Sequence, residues 1–297
     1  MISLPENCSD IRRGHDHWRT AGHTGALRSI IRRPAVAGYY YPENAAALAD
    51  TIRILTTGTS VTTKALGVIV PHGSYQRAGA IVGQTLAGVR IPRCCVLLGP
   101  SHTGSPLSWS LMPSGTYRTP LGDVPINTEI ADTLLRSCDF LTADSWAQPG
   151  EHALEVLVPF LQRLGPEDLS VAPLIINSDD EQELRCFGET LAELISHHPD
   201  DLLVIASSDL SHYLPLERAT KEDRSLLQQI ELLDPDGLIR TVRDHRSSMC
   251  GYAAVACLLF AARVLKSSRT VLVSYTTSAV TGSDPDSVTG YAGLTIQ

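Results

Sequence analysis

The chain has 297 residues, 43% hydrophobic and 19% charged, with a net charge of −8. That is ordinary for a soluble globular protein able to bury a substantial core, and the acidic balance argues against nucleic acid, which needs a clustered positive face. No apolar run approaches the roughly 20 residues that span a bilayer. The N-terminus lacks the apolar core of a secretory signal, so a cytosolic address with no membrane partner is expected. Seven cysteines, an odd count without a CxxC pair, fit reduced thiols better than a disulfide framework.

Residues 1–33 are rich in Arg, His and Gly and lack steady apolar periodicity. They read as a loosely ordered extension, in which His15, His17 and His23 form a short tract of the kind that binds metals opportunistically. From residue 34 to 297, short apolar runs alternate with helical patterns. In chain order the pattern predicts a helix over 43–55, a strand over 66–71 (LGVIVP), a helix over 76–89 and a strand over 94–100 (CCVLLGP). A Gly-, Pro- and Thr-bearing excursion over 109–127 reads as a hairpin, followed by helices over 128–138 and 151–164. Then come a strand over 171–176 (VAPLII), a helix over 179–198, a strand at LLVIASSD (202–209), and a helix over 217–233. RSSMCGYAAVACLLF (246–260) reads as one further helix, and TVLVSY (270–275) as another buried strand. The alternation predicts a single α/β domain whose central, largely parallel but mixed sheet is flanked by helices.

Ligand sites in such sheets lie beyond the carboxyl ends of the strands. Three strands here end in histidine-bearing loops: Pro71-His72-Gly73, Pro100-Ser101-His102 and Ser208-Asp209 with His212. One such histidine reads as a loop residue; three at the same end of parallel strands point to a shared site. Two imidazoles with an anionic third ligand suit non-haem iron, zinc or copper. His212 is then a further ligand or an acid/base group, and Asp209 either orients an imidazole or caps a turn. Of the remaining histidines, only His152 stands out. Cys257 lies among alanines and leucines and reads as core, whereas Cys250 opens its segment next to Gly251. A thiolate–imidazolium pair of Cys250 with His212 is a metal-free alternative, but leaves His72 and His102 without a role.

PAVAGYYYP (34–42), VPHGSY (70–75), LGPSH (98–102), GEHALEVLVPFLQ (150–162), SSDLSHY (207–213), MCGYAA (249–254) and SVTGYAGL (287–294) together resemble the Memo family, whose prokaryotic members are called AmmeMemoRadiSam system protein B. The resemblance implies a fold like that of class III extradiol dioxygenases. It also implies a metal site of His72, His102 and Cys250, with His212 as the catalytic acid/base, Asp209 as the acidic catalytic residue of the same loop, and His152 lining the pocket. Iron(II) is the implied metal, with copper or zinc as alternatives. A cysteine where the dioxygenases place a glutamate sets the family apart from ring-opening enzymes. The functions implied are a redox or accessory role beside radical-SAM and AMMECR-type proteins, a dioxygenase acting on a small organic molecule, or a pocket that holds a peptide. Gly73-Ser74 depart from the Ala-Gly common after the first histidine.

Overall fold

The computed structural model describes residues 30–58 and 62–297. His15, His17, His23 and the expected extension as far as residue 29 lie outside the described residues. The boundary drawn at residue 34 falls late. Strand β1 (Ile31–Arg32) already pairs with β5 (Thr116–Thr119), and Arg32 is buried.

Four strands form the middle of the molecule: β2 (Gly67–Val70), β3 (Cys94–Pro100), β8 (Ser170–Ile176) and β9 (Leu202–Ser207). They run parallel in the order β2-β9-β3-β8. Their side chains alternate between two cores, as a period of two requires. Val96, Leu98, Leu174 and Val204 face one core; Cys95, Leu97, Val171 and Leu203 face the other. Strands covered on both faces read as unbroken apolar runs, which is why these four were legible in the sequence.

The first core is closed by α3 (Thr128–Ser137), α5 (Glu181–His197), α6 (Leu216–Glu231), α7 (Pro235–His245) and α8 (Tyr252–Val264). The second is closed by α1 (Ala45–Leu55), α2 (Gly79–Ala87) and α4 (Val158–Leu164). Side-chain caps start several helices: Asp180 accepts the Gln182 and Glu183 amides before α5, and Asp234 accepts the Gly237 amide before α7. Helix α8 is apolar nearly all round because it lies between the sheet and α5. A Cβ on Gly188 of α5 would come within 2.8 Å of the Cys257 carbonyl, so that residue must be small. Cys257 is fully buried, as expected.

The sheet extends to eight strands, in the order β10-β11-β2-β9-β3-β8-β4-β7. Strand β4 (Trp109–Leu111) pairs antiparallel with β8 and parallel with β7 (Thr142–Ala143). The expected hairpin is β5 with β6 (Gly122–Pro125). Two expectations fail at the other edge. The run 270–275 belongs to β10 (Thr270–Thr277), which is an antiparallel edge strand with Leu272 and Val273 exposed rather than a buried one. The strand that is fully buried there, β11 (Gly290–Ile296), was not expected. The architecture is the mixed α/β domain the pattern predicts. Among the described residues no helix is long and apolar enough to cross a membrane.

Candidate metal centre

His72 lies two residues past β2, His102 two residues past β3, and Asp209 two residues past β9. Parallel pairing of these strands brings all three loops to one edge of the sheet. The helix expected over 151–164 begins late: residues 155–157 form a 3-10 turn and α4 starts at Val158. The freed Glu151–Leu154 segment turns toward the histidines. As a result the ligand nitrogens of His72, His102 and His152 all lie within 4.8 Å of one another. Their rings contact one another with centroid separations of 5.1, 5.6 and 4.5 Å.

The tautomers follow from the hydrogen bonds. The one proton of the Ser207 hydroxyl goes to the Ala153 carbonyl at 2.7 Å. Ser207 Oγ therefore accepts from His72 Nδ1–H at 2.8 Å, leaving Nε2 with a free lone pair. His102 is fixed the same way by Glu151. That carboxylate accepts from His102 Nδ1–H at 2.8 Å, from the His102 amide, and from the Ala153 amide at 2.9 Å. Burial pushes the Glu151 carboxyl up, but the bonds from His102 and Ala153 outweigh it and hold it at about 2. Glu151 is thus an anion buried behind the cluster. An Nδ1–H bonded to a fixed acceptor, with Nε2 turned inward, is how metal-binding imidazoles are usually oriented.

Burial lowers His72 to about 4 and His152 below its ordinary value, so both are neutral donors at pH 7. His72 is almost wholly enclosed, whereas His102 and His152 remain partly exposed and mark the open side of the cluster. The Tyr40 ring contacts the His152 ring in a tilted arrangement, with centroids 4.8 Å apart.

Cys250 is not part of a helix. It precedes the cap residue Gly251, and α8 begins at Tyr252. A Cβ on Gly251 would meet the Ser207 carbonyl at 2.2 Å and the Ser208 Cβ at 2.7 Å. Only glycine lets this chain approach the end of β9, and that approach sets Cys250 Sγ 3.3 Å from His72 Nε2. The three-histidine group does not include Cys250, whose thiol joins the site through His72 and a longer contact, 3.9 Å, to the Asp209 carbonyl. Burial and then the Asp209 carboxylate push the thiol well above its ordinary range, so without a cation it stays protonated. Its hydrogen-bond partners are His72 and the Asp209 carbonyl, not His212, which removes the geometry of a Cys250–His212 nucleophilic pair.

Asp209 caps no helix. Its Oδ1 accepts the His72 amide at 2.9 Å, and its Oδ2 lies 3.7 Å from His212 Nε2. Burial pushes the Asp209 carboxyl up, but His72 and His212 bring it below its ordinary value. His212 donates Nδ1–H to the Ser248 carbonyl at 2.9 Å. Burial lowers its pKa, yet Asp209 and the backbone acceptors reverse the sign and raise it. With an acceptor at Nδ1 and a carboxylate near Nε2, His212 holds a proton more readily than His72 does.

The donor set fits a transition-metal ion. Neutral imidazoles and a displaceable thiol sit between two buried carboxylates, an environment that attracts a cation and releases the thiol proton on binding. Sequence reasoning missed Glu151 and Ser207, the two residues that orient the histidines. Glu151 was visible as the acid preceding His152, and Ser207 as the first residue of SSD. A polar cavity of about 300 Å³ lies far from this chemistry, at the amino ends of the strands near Arg93, Cys94 and Ser170.

Fold and site together define an α/β protein with a histidine-rich candidate metal centre at the carboxyl edge of its parallel strands. The profile of the Memo-like protein family matches residues 32–295, and the chain belongs to that family. It is 34% identical to MEMO1 family protein MK0963 of Methanopyrus kandleri, over 89% of this chain and 98% of the relative. It is 31% identical to a MEMO1 family protein of Aquifex aeolicus, over 89% of this chain and 98% of the relative. The solved structure of the uncharacterized protein JW3007 from Escherichia coli K12 superposes with a TM-score of 0.54 at 15% identity. That match covers 77% of this chain and 98% of the other, and it supports the fold alone.

Proposed function

We propose that this chain binds one transition-metal ion, iron(II) in the first instance and zinc or copper as alternatives, through His72, His102 and Cys250. His152 stands within ligand range on the open side. The observation that carries this reading is the pair of locked tautomers, which turn Nε2 of His72 and of His102 inward. Such an ion supplies Lewis-acid polarisation of a bound oxygen donor and, if iron or copper, redox capacity. The protein's own residues would do the rest. Glu151 and Ser207 hold the imidazoles in place, and His152 with Tyr40 forms the wall a small organic molecule would meet. His212 carries a proton beside Asp209, within the pocket, and can give it up or take it back. A thiolate in place of a harder oxygen ligand favours a redox or accessory role, such as one beside radical-SAM and AMMECR-type proteins, over ring-opening chemistry.

Anaerobic calorimetric titration with Fe(II) and Zn(II) tests the site. One equivalent should bind to the wild type, and His72→Ala or His102→Ala should abolish it. Equal binding by these variants would refute the assignment. Oxygen uptake with a panel of catechols separates the enzymatic reading from a binding role.

A further inference from the structure

We propose that Asp223, gripped by Tyr275 and seated against Gly290, is a positioning residue that fixes the backbone of the 209–214 loop and so holds His212 beside Asp209. The proposal rests on the reading of His212 as the proton-carrying group of the pocket, and names what sets its place.

The loop that follows β9 has two kinds of residue. Asp209 and His212 work toward the cluster: Asp209 accepts the His72 amide, and His212 bonds to Ser248 through its amide and its ring. Leu210, Ser211 and Leu214 are instead bonded through their backbone to other elements. The Leu210 amide donates to the Gly290 carbonyl at 2.9 Å, and the Gly290 amide returns a bond to the Ser211 carbonyl at 2.9 Å. Leu214 and Val288 exchange bonds at 3.3 and 2.8 Å. The Ser211 amide, one residue before His212, donates to Oδ1 of Asp223 at 2.9 Å.

Asp223 projects from α6 and is fully buried. Its Oδ2 accepts the hydroxyl of Tyr275, on β10, at 2.8 Å, so both carboxyl oxygens are held. A Cβ on Gly290 would stand 2.0 Å from that Oδ2, which is bonded in place and cannot yield. The SVTGYAGL stretch (287–294) thereby gains a role: its first glycine makes room for Asp223, and its backbone binds the loop. Burial pushes the Asp223 carboxyl up, against the pull of the Ser211 amide and the Tyr275 hydroxyl. A carboxyl in such a place is costly to bury. What it secures is the amide next to His212.

The loop needs that restraint. Tyr213 has a left-handed backbone (φ 56°), uncommon for a bulky side chain, and its ring is 80% exposed, so burial does not offset the strain. Strained residues persist where their surroundings over-determine them, and the bonds at Ser211 and Leu214 stand on either side of Tyr213. With those bonds made, the His212 ring reaches the Ser248 carbonyl at 2.9 Å and lies 3.7 Å from Asp209 Oδ2.

The test is the titration of the His212 ring, followed by 15N NMR in full-length, metal-free protein. Asp223→Ala removes both bonds and should lower the midpoint by about one pH unit, the scale of losing a neighbouring carboxylate. Asp223→Asn keeps an oxygen for the Ser211 amide and turns its NH2 to the Tyr275 oxygen, so the wild-type midpoint should return. Tyr275→Phe loses one bond and should give a smaller shift in the same direction, which serves if Asp223→Ala does not fold. Ile230→Ala, in the buried part of the same helix, should destabilise the fold and leave the midpoint unmoved. An unmoved midpoint in folded Asp223→Ala, or in Tyr275→Phe, would overturn the proposal. So would an Asp223→Asn or Ile230→Ala shift as large as that of Asp223→Ala. Because the reading is made without metal, a failure to bind Zn(II) or Fe(II) would refute the metal assignment and leave this test standing.

Discussion

Replacing Glu151 by Gln should weaken metal binding without unfolding the protein. The wild-type carboxylate accepts three N–H groups, from the His102 ring, the His102 amide and the Ala153 amide. A glutamine offers one oxygen and one NH2 at the same two places, so at least one N–H meets another donor whichever way the amide is turned. The lost charge-assisted bond and the unsatisfied donor are each worth about 1–3 kcal/mol. Residues that orient a metal-binding histidine typically cost 10–100-fold in affinity when replaced, which corresponds to about 1.4–2.7 kcal/mol. Competition against a chromophoric chelator at neutral pH measures this directly, with circular dichroism as the check on folding. A folded Glu151→Gln variant with unchanged zinc or iron affinity would refute the claim that Glu151 presents His102 to a metal.

Gly251→Ala should destabilise the protein by about 1–3 kcal/mol, because its Cβ would drive into backbone at the end of β9. It should also move Cys250 away from His72, read as faster alkylation of that thiol. Arg32→Ala should cost about 3–5 kcal/mol in urea denaturation, since it strips a buried guanidinium from Glu155 and from the Glu151 and Gln148 carbonyls. A loss below about 1 kcal/mol would mean this pair behaves like a solvated one. Asp236 is held below its ordinary value: partial burial pushes it up, but Arg263 and Arg185, each bonded at 2.7 Å, prevail. A depressed carboxyl stabilises the fold above its unfolded pKa, and that contribution is lost as pH falls through the lower folded value. Asp236→Asn should therefore cost up to about 1 kcal/mol at pH 7, given the partly exposed arginines. The gap between variant and wild type should close below pH 4 in thermal melts taken across the acid range, and a gap that persists there would contradict the assignment.

The sheet's centre was legible because β2, β3, β8 and β9 are covered on both faces and so read as unbroken apolar runs. The edge was not. The run 270–275 has the same composition, but its exposure depends on there being no strand beyond β10 among the described residues, which no local pattern encodes. Helix α7 was missed because most of its residues are polar; Asp234 and Pro235 were the signals of its start. Within the site, His72, His102, Asp209 and His212 could be found from their places after strands. His152 was undervalued because residues 151–154 were read as helix, whereas the turn there swings its ring into the cluster. Arg32 lies 123 residues before Glu155, in a segment with no periodic pattern, so their buried pairing was visible only in three dimensions.

The most direct test of the metal assignment is elemental analysis of protein purified without a histidine tag and without added chelator. About one equivalent of iron, or of zinc or copper, should accompany the wild type and be lost from His72→Ala and His102→Ala, in keeping with the need for several ligands per ion. Metal-free protein that also fails to take up Fe(II) or Zn(II), with Cys250 open to alkylation, would contradict it.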